Sequence, residues 1–310
     1  MLFSILLGLE SLGAIIGNSF AIAVFRKQKL SLKRTLYLLI NLTVADLIVG
    51  ITATVQIARL TFNSYNMKSS KEMSRLSKFD AVDVYFGTAS IVSLLIIALE
   101  TLYAIAWPFR HRIISKRTYI FWIVVVWCFS AVPLALELLR QLSSTAFVEA
   151  VSVWLLTCGI IVILVTIACT YSAIWFYSNR DIPGISRNLR LRTKRRAKTL
   201  FIVTLLSVIT WLPFVLTKAL SQFVGQWTFK IGHATYSVLI IGRVFQLSNS
   251  FLNPIVYSFR MPEFRRSLKN TFSQLKSSKA SKRETKFKNV LSTDVPQVAL
   301  VSLSNLNPNR

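Results

Sequence analysis

The stretch that decides the fold is LYLLINLTVADLIVGITATVQIARL, residues 36–60. It is apolar over most of its length and carries one carboxylate, Asp46, near its middle. A bilayer core about 30 Å thick needs roughly 20 predominantly apolar residues in a helix to cross it. The stretch therefore predicts a transmembrane helix. Because an acid at mid-membrane is costly to bury, Asp46 also predicts a functional site.

The composition of the whole chain also indicates a membrane protein. Of its 310 residues, 53% are hydrophobic and 16% are charged, and the mean hydropathy is +0.54, whereas a soluble domain carries about 25% charged residues. The net charge of +25 comes from basic residues that lie between apolar runs, which argues against a nucleic-acid-binding protein. Disulfide scaffolding is not expected, because Cys128, Cys158 and Cys169 all lie in apolar stretches.

Six further apolar runs of comparable length accompany residues 36–60, and none shows the alternation of a β-barrel strand. The first run contains Glu10 and has no basic residues ahead of it, which favours a span over a signal peptide. We therefore predict an all-α membrane protein, with a seven-transmembrane helix bundle over residues 1–258. Its spans are 2–25, 36–60, 79–106, 119–139, 149–177, 198–222 and 232–258.

The basic residues predict the orientation of the bundle. The connections after the first, third and fifth spans, together with the C-terminal segment, hold 28 of the 37 Lys and Arg residues. Since cytoplasmic loops are enriched in Lys and Arg, we expect the N-terminus outside and the C-terminus in the cytoplasm. The expected location is the plasma membrane, with a multi-pass topology.

Two segments follow the last span. Residues 261–275 place Phe264, Leu268, Phe272 and Leu275 at helical spacing with basic residues between them. This pattern predicts an amphipathic interfacial helix on the inner surface of the lipid bilayer. Residues 276–310 are rich in Ser, Thr and Lys, which predicts a disordered cytoplasmic tail.

Motifs in these helices resemble the rhodopsin-like (class A) G-protein-coupled receptors. The second span holds Asn41-Leu42-Thr43-Val44-Ala45-Asp46-Leu47, and the seventh holds Asn253-Pro254-Ile255-Val256-Tyr257. The other motifs are Gly17-Asn18, Ala104-Ile105 with Pro108-Phe109, Trp127, Pro133, Tyr171, Trp211-Leu212-Pro213 and Phe264. Each motif is weak alone, but their order along the chain is specific. The resemblance implies a receptor that passes an extracellular signal to a heterotrimeric G protein or an arrestin, by outward swing of the sixth helix.

The resemblance also implies an ion site around Asp46. It surrounds this carboxylate with Ser90, Asn249, Ser250 and Asn253. One charge with several neutral oxygens suits a hard monovalent cation, and in the resembled family the pocket holds sodium. The alternative is that these residues are polar helix contacts that hold no ion.

The ligand pocket that the resemblance implies contains five polar or aromatic residues: Gln56, Asp83, Trp211, Arg243 and Gln246. Asp83 either anchors the ammonium group of an amine ligand or pairs internally with Arg243, and the sequence leaves both open. Leu155, Leu156 and Gly159 occupy the positions of catechol-binding serines, so we expect a non-catechol amine or a peptide. Leu247 occupies the position of the lysine that binds retinal, so retinal is excluded as a cofactor.

At the transducer and switch positions that the resemblance implies, this chain departs from the family. Pro213 should kink the sixth helix and act as a hinge. The family's Asp/Glu-Arg-Tyr triplet falls on Glu100-Thr101-Leu102, so Thr101 replaces the arginine. The family's cysteine for a third-helix disulfide falls on Leu76. The complete switch set is Glu100, Thr101, Pro108, Phe109, Tyr171, Pro213 and Tyr257.

Other classes of function are weaker but remain open. The missing arginine allows a ligand-binding seven-helix decoy that does not couple to a G protein. A transporter or channel would need internal repeats or a charged conduit. An enzyme is not expected, because His111 and His233 stand alone, outside any metal or triad spacing.

Overall fold

The structure is a computed structural model that describes residues 2–27, 35–66, 70–143, 145–178, 205–217, 219–220 and 232–260, together with residues 191, 198, 201–202, 264–266, 269–270, 273 and 277. All regular secondary structure in these ranges is helical, which confirms the all-α prediction. The helices are α1 (Leu2–Lys27), α2 (Thr35–Asn66), α3 (Ser70–Ala106), α4 (Pro108–Ile113), α5 (Lys116–Leu142), α6 (Ala146–Ser178), α7 (Leu205–Thr217) and α8 (Gly232–Arg260).

Five of these helices are long and apolar enough to cross a membrane: α1, α2, α3, α5 and α6. The described part of α7 is a shorter apolar helix, and α8 places polar residues, Arg243 among them, within its length. Large apolar side chains point outward from the bundle, for example Phe121 on α5 and Trp175 on α6. A helix suits this setting because all its backbone hydrogen bonds are made within the segment.

The core of the bundle is built around α3, which packs against α2, α5 and α6. Trp127 of α5 donates from Nε1 to Asn41 Oδ1 at 2.9 Å, and Asn41 Nδ2 donates to Ser93 Oγ at 2.9 Å. These two bonds join α5, α2 and α3 in one polar chain. We call the end of the bundle at which α1 begins the outer end, and the opposite end the inner end.

Small residues let α1 approach α8 closely. A Cβ added at Gly13 would lie 2.5 Å from the ring of Phe251, and one added at Gly17 would lie 3.1 Å from Pro254. Gly13 and Gly17 are four residues apart and so lie on one helix face. Small residues at this spacing are a common means of close helix packing in membranes. The Gly13–Gly17 face thus fixes the position of α8, which carries several of the site residues.

The short helix α4 follows directly after α3. Pro108 occupies its first turn, a position where the missing N–H of proline costs nothing. Trp107 separates the two helices, and its N–H still donates to Tyr103 O at 2.9 Å. This turn brings α4 back against the inner end of α3.

All three cysteines of the chain lie on α5 and α6. Each is free, and each is exposed on the side of its helix that faces away from the bundle core. None of the three takes part in a disulfide in this structure.

Several predicted segments lie outside the described residues. They include the basic connection between the fifth and sixth spans and most of residues 261–310. Residues 265–310 form a unit separate from the bundle. Within that unit Ser273 Oγ donates to Asn270 O at 2.9 Å. The boundaries of the interfacial helix (261–275) and of the tail (276–310) stay predictions.

Candidate functional site

A buried polar cluster centred on Asp46 lies in the middle of the bundle. Asp46 has no exposed surface. Its Oδ1 accepts hydrogen bonds from Ser90 Oγ at 2.7 Å and Ser250 Oγ at 2.8 Å, and its Oδ2 accepts one from Asn253 Nδ2 at 2.7 Å. The Asp46 cluster therefore connects α2, α3 and α8 through a single carboxylate.

The resemblance placed a fourth residue, Asn249, beside this carboxylate. Asn249 is buried next to Ser250 in the chain but donates no hydrogen bond to Asp46. Asn18 of α1 also contacts the cluster, although the sequence did not place it there. Its Nδ2 donates to the backbone oxygen of Ser250 at 3.0 Å. The Oδ1 of Asn18 is buried without a hydrogen-bond partner among the described residues.

The donor set of the Asp46 cluster fits a monovalent cation. It offers a carboxylate and the hydroxyl oxygens of Ser90 and Ser250. Hard cations prefer such oxygen ligands. Within the described residues, by contrast, no group of three or more His, Cys, Asp or Glu side chains could hold a metal ion.

A second cluster lies nearer the outer end and contains an ion pair between two helices. Arg243 of α8 donates from Nη1 to Asp83 Oδ2 of α3. The other oxygen, Asp83 Oδ1, accepts from Thr52 Oγ1 of α2 at 3.3 Å. Of the two alternatives that the sequence left open for Asp83, the structure has the internal pair.

Two glutamines complete the outer cluster around Arg243. Arg243 Nη1 donates to Gln246 Oε1 at 2.6 Å, and Arg243 Nη2 donates to Gln56 Oε1 at 3.0 Å. The guanidinium group is thus held from α2, α3 and α8. The side chain of Asp83 is 5% exposed and that of Arg243 is 20% exposed, so the arginine is the more accessible partner.

Trp211 of α7 lies beneath the outer cluster. A Cβ added at Gly87 of α3 would lie 3.2 Å from Gln246 Nε2 and 3.4 Å from the Trp211 ring. Because glycine has no side chain, the tryptophan, Gln246 and α3 can meet at this point. Trp211 is buried, and Phe214 packs edge-on against it. Trp211 thus lies next to Gln246, another residue of the predicted ligand pocket.

The inner end of the bundle holds a third polar group, the Glu100 cluster, which the sequence did not indicate. Glu100 Oε1 is 2.8 Å from His111 Nε2 and accepts from Tyr119 Oη at 3.1 Å. The tyrosine hydroxyl is also 3.3 Å from His111 Nε2. His111, which stands alone in the sequence, therefore joins α4 to α3 and α5. His111 lies three residues after Pro108 in the short helix α4, and this spacing is the sequence feature that could have predicted its contact with Glu100.

Thr101, at the arginine position of the family motif, is buried and makes a local bond. Its Oγ1 donates to Ile97 O of its own helix at 2.8 Å. Nearby, Phe109 of α4 is 60% exposed beside Pro108. The inner end of the bundle thus exposes the large apolar side chain of Phe109 next to α3, in which Thr101 replaces the motif arginine.

The remaining switch residues are two buried tyrosines in the inner half of the bundle and Pro213 on α7. Tyr257 is fully buried, its ring packs against Phe25 and Phe264, and its hydroxyl has no hydrogen-bond partner among the described residues. Tyr171 of α6 is buried, and its ring lies 5.5 Å from that of Phe201. Pro213 lies in α7 two residues after Trp211 and is partly exposed.

One carboxylate outside the predicted sites also bridges two helices. Ser248 Oγ of α8 donates to Glu10 Oε1 of α1 at 2.7 Å. The second oxygen, Glu10 Oε2, is buried without a partner among the described residues. An acidic residue within the first apolar run was visible in the sequence, but its partner on the last span was not.

Comparison with known proteins gives one consistent family. The family model described as "7 transmembrane receptor (rhodopsin family)" matches residues 17–257. The octopamine receptor beta-1R of Drosophila melanogaster is 26% identical over 87% of this chain and 61% of its own length. Galanin receptor 2a and melanocortin receptor 4 of Danio rerio are 25% and 26% identical, over 88% and 85% of this chain and 78% and 80% of their own lengths.

The relatives are all named as receptors, in agreement with the expectation that the chain is not an enzyme. The chain spans about three fifths of the octopamine receptor's length. The family match runs from within the first predicted span to the end of the seventh, so the seven-transmembrane prediction and the resemblance are both confirmed. This chain is a multi-pass membrane protein that belongs to the rhodopsin family of seven-transmembrane receptors.

Proposed function

We propose that this protein is a plasma-membrane receptor that passes an extracellular ligand signal to a heterotrimeric G protein. Its N-terminus lies outside and its C-terminus lies in the cytoplasm. Ligand binding favours an arrangement in which the inner end of α7 swings outward about Pro213. The Asp46 cluster carries this proposal, because a site that ties α2, α3 and α8 together stabilises one arrangement of the bundle over another.

A sodium ion is the proposed allosteric ligand of the Asp46 cluster. Asp46 would supply the charge, and Ser90, Ser250, Asn249 and Asn253 would supply neutral groups around the ion. Bound sodium would neutralise Asp46 and favour the arrangement in which the three helices stay together. This role agrees with the burial of all five residues.

The sodium site predicts a salt-specific effect on stability. We expect NaCl to raise the melting temperature of the purified protein above its value in choline chloride at the same ionic strength. A ligand that binds only the folded state at 100 times its Kd adds about 2.7 kcal/mol. Asp46→Asn should abolish the difference between the two salts, as measured by thermal unfolding in detergent.

Glu137→Gln is the matched control for Asp46→Asn, since it also changes a buried carboxylate to an amide. Glu137 pairs with Arg140 on α5 and takes no part in the Asp46 cluster. This variant should keep the sodium response. A sodium response that persists in Asp46→Asn would contradict the ion site.

The outer cluster is the proposed ligand site, formed by Gln56, Asp83, Trp211, Arg243 and Gln246. Because Asp83 is paired with Arg243, a simple amine would have to displace a guanidinium group to reach it. The relatives are named for octopamine, galanin and melanocortin, so both small-molecule and peptide ligands remain within the proposal.

A decoy receptor that binds ligand without coupling is the second candidate, and one observation favours it. Thr101 cannot supply the charge of the motif arginine, and its hydroxyl is occupied by Ile97 O. Arrestin is a proposed partner in either case, through phosphorylated Ser and Thr of the tail.

Coupling is tested by placing an arginine at the motif position. We expect Thr101→Arg to raise ligand-free nucleotide exchange on a purified G protein, since it restores a cation at the inner surface. Thr101→Ser, which keeps the hydroxyl bond to Ile97, should match the wild type. If the wild type, its ligand-bound form and Thr101→Arg all fail to stimulate exchange, the decoy is favoured and coupling is overturned.

A further inference from the structure

We propose that the outer cluster recognises a zwitterionic ligand of the α-amino-acid type, in which an ammonium group and a carboxylate lie close together. This inference rests on the proposed ligand site and names the chemistry of its ligand. It starts from the contacts of Asp83 and Arg243.

The charges of the outer cluster are already balanced. Asp83 is its anion and Arg243 its cation, and both side chains are mostly buried, at 5% and 20% exposure. Around them Thr52, Gln56 and Gln246 contribute only neutral groups. A ligand that carries one charge would therefore leave the site with an unbalanced charge.

A simple amine illustrates the cost of that imbalance. Its ammonium group would have to replace Arg243 at Asp83 Oδ2. The guanidinium group would then lose the carboxylate of Asp83 and keep the amide oxygens of Gln56 and Gln246. A charge that stays buried after its counter-ion is removed is strongly destabilising. A simple carboxylate would have the same effect on Asp83.

A zwitterion avoids this cost because it brings both charges at once. Its ammonium group pairs with Asp83, and its carboxylate pairs with Arg243. The planar guanidinium group matches a carboxylate through two parallel hydrogen bonds. One internal ion pair is exchanged for two pairs with the ligand, and no charge is left alone.

The exposure of the pair indicates the order of these contacts. Arg243 is the more exposed partner, so the ligand carboxylate can reach it before the internal pair opens. Arg59 lies about one helical turn further out than Gln56 on α2, outside the outer cluster. Below the pair, Gln246 Nε2 and the Trp211 ring lie 3.2 and 3.4 Å from where a Cβ of Gly87 would be, so the outer cluster rests on an aromatic ring.

The test uses ligand triads that differ in one charged group. One triad is tyrosine, tyramine and 3-(4-hydroxyphenyl)propionate, and equivalent triads are built on tryptophan, phenylalanine and leucine. Their effect on the melting temperature of the full purified chain gives apparent affinities. In at least one triad we expect the amino acid to bind about tenfold or more tightly than either single-charge analogue.

Two variants should shift this preference in opposite directions. Asp83→Asn leaves Arg243 as the charged group, so the carboxylate analogue should become the tightest ligand of the triad. Arg243→Gln leaves Asp83, so the amine analogue should become the tightest. Arg243→Lys keeps the charge and should keep the wild-type order. Ser172→Ala, at an exposed position of α6 outside this cluster, should also keep it.

Three results would overturn the inference. They are an amine that binds the wild type as tightly as its amino acid, an absence of binding by any of the amino acids, and an unchanged preference in both Asp83→Asn and Arg243→Gln. The sodium response of each sample shows that the variant is folded. Because that response and G-protein exchange are measured separately, the receptor function can survive a failure of the zwitterion inference.

Discussion

At the scale of single residues, Glu100 keeps the acid of the family motif but has Thr101, not an arginine, as its neighbour. In place of a neighbouring arginine, its carboxylate contacts His111 of α4 and Tyr119 of α5. Two elements that follow α3 in the chain are thereby attached to its inner end. The Glu100 cluster therefore helps to hold α4, and with it the exposed Phe109, against the bundle.

This role predicts the effect of removing the histidine. His111→Ala should lower the free energy of unfolding by about 1–3 kcal/mol, because a partly buried carboxylate loses one partner. Chemical denaturation in detergent measures the change. In a double-mutant cycle with Glu100→Gln, the two substitutions should be less than additive; full additivity would show that the contact contributes nothing.

The sequence predicted some of the contacts in these local sites and missed others. The resemblance placed Ser90, Ser250 and Asn253 beside Asp46, because helix positions in a shared motif fix which side chains meet. It could not place His111 or Tyr119, since their contact with Glu100 depends on how the short helix α4 turns back. It also could not decide between the two partners of Asp83, because the choice depends on the distance between α3 and α8.

At the scale of helices, the contact between α1 and α8 depends on Gly13. We expect Gly13→Ala to lower the free energy of unfolding by about 1–3 kcal/mol, because the new methyl group would overlap the ring of Phe251. Gly8→Ala on the same helix meets nothing within 4 Å. As the control, Gly8→Ala should leave the free energy of unfolding unchanged or raise it by up to about 1 kcal/mol, since alanine is a better helix former than glycine.

Thermal unfolding of the two variants side by side measures this difference. Adding Phe251→Leu to Gly13→Ala should recover part of the loss, because the smaller side chain makes room for the methyl group. Equal melting temperatures for Gly13→Ala and Gly8→Ala would mean that α1 and α8 do not approach closely here. The apolar runs of the sequence predicted both helices, but runs alone do not indicate which pairs of helices touch.

At the scale of the whole molecule, the distribution of Lys and Arg predicts the orientation in the membrane. An epitope added after Arg310 should bind antibody only after the cells are permeabilised. An epitope added before Met1 should bind antibody on intact cells. The two tags serve as controls for each other, and the reverse pattern would overturn the proposed topology and the assignment of the outer cluster to the extracellular side.

The three cysteines have a consequence for how the protein can be produced. They are free and exposed on α5 and α6, and none bridges two segments of the chain. The cohesion of the outer end comes instead from contacts such as the Arg243–Asp83 pair, which reducing agents do not break. Folding should therefore require no oxidising compartment, and dithiothreitol should leave the melting temperature unchanged. Expression hosts that lack disulfide-forming enzymes should be suitable for this receptor.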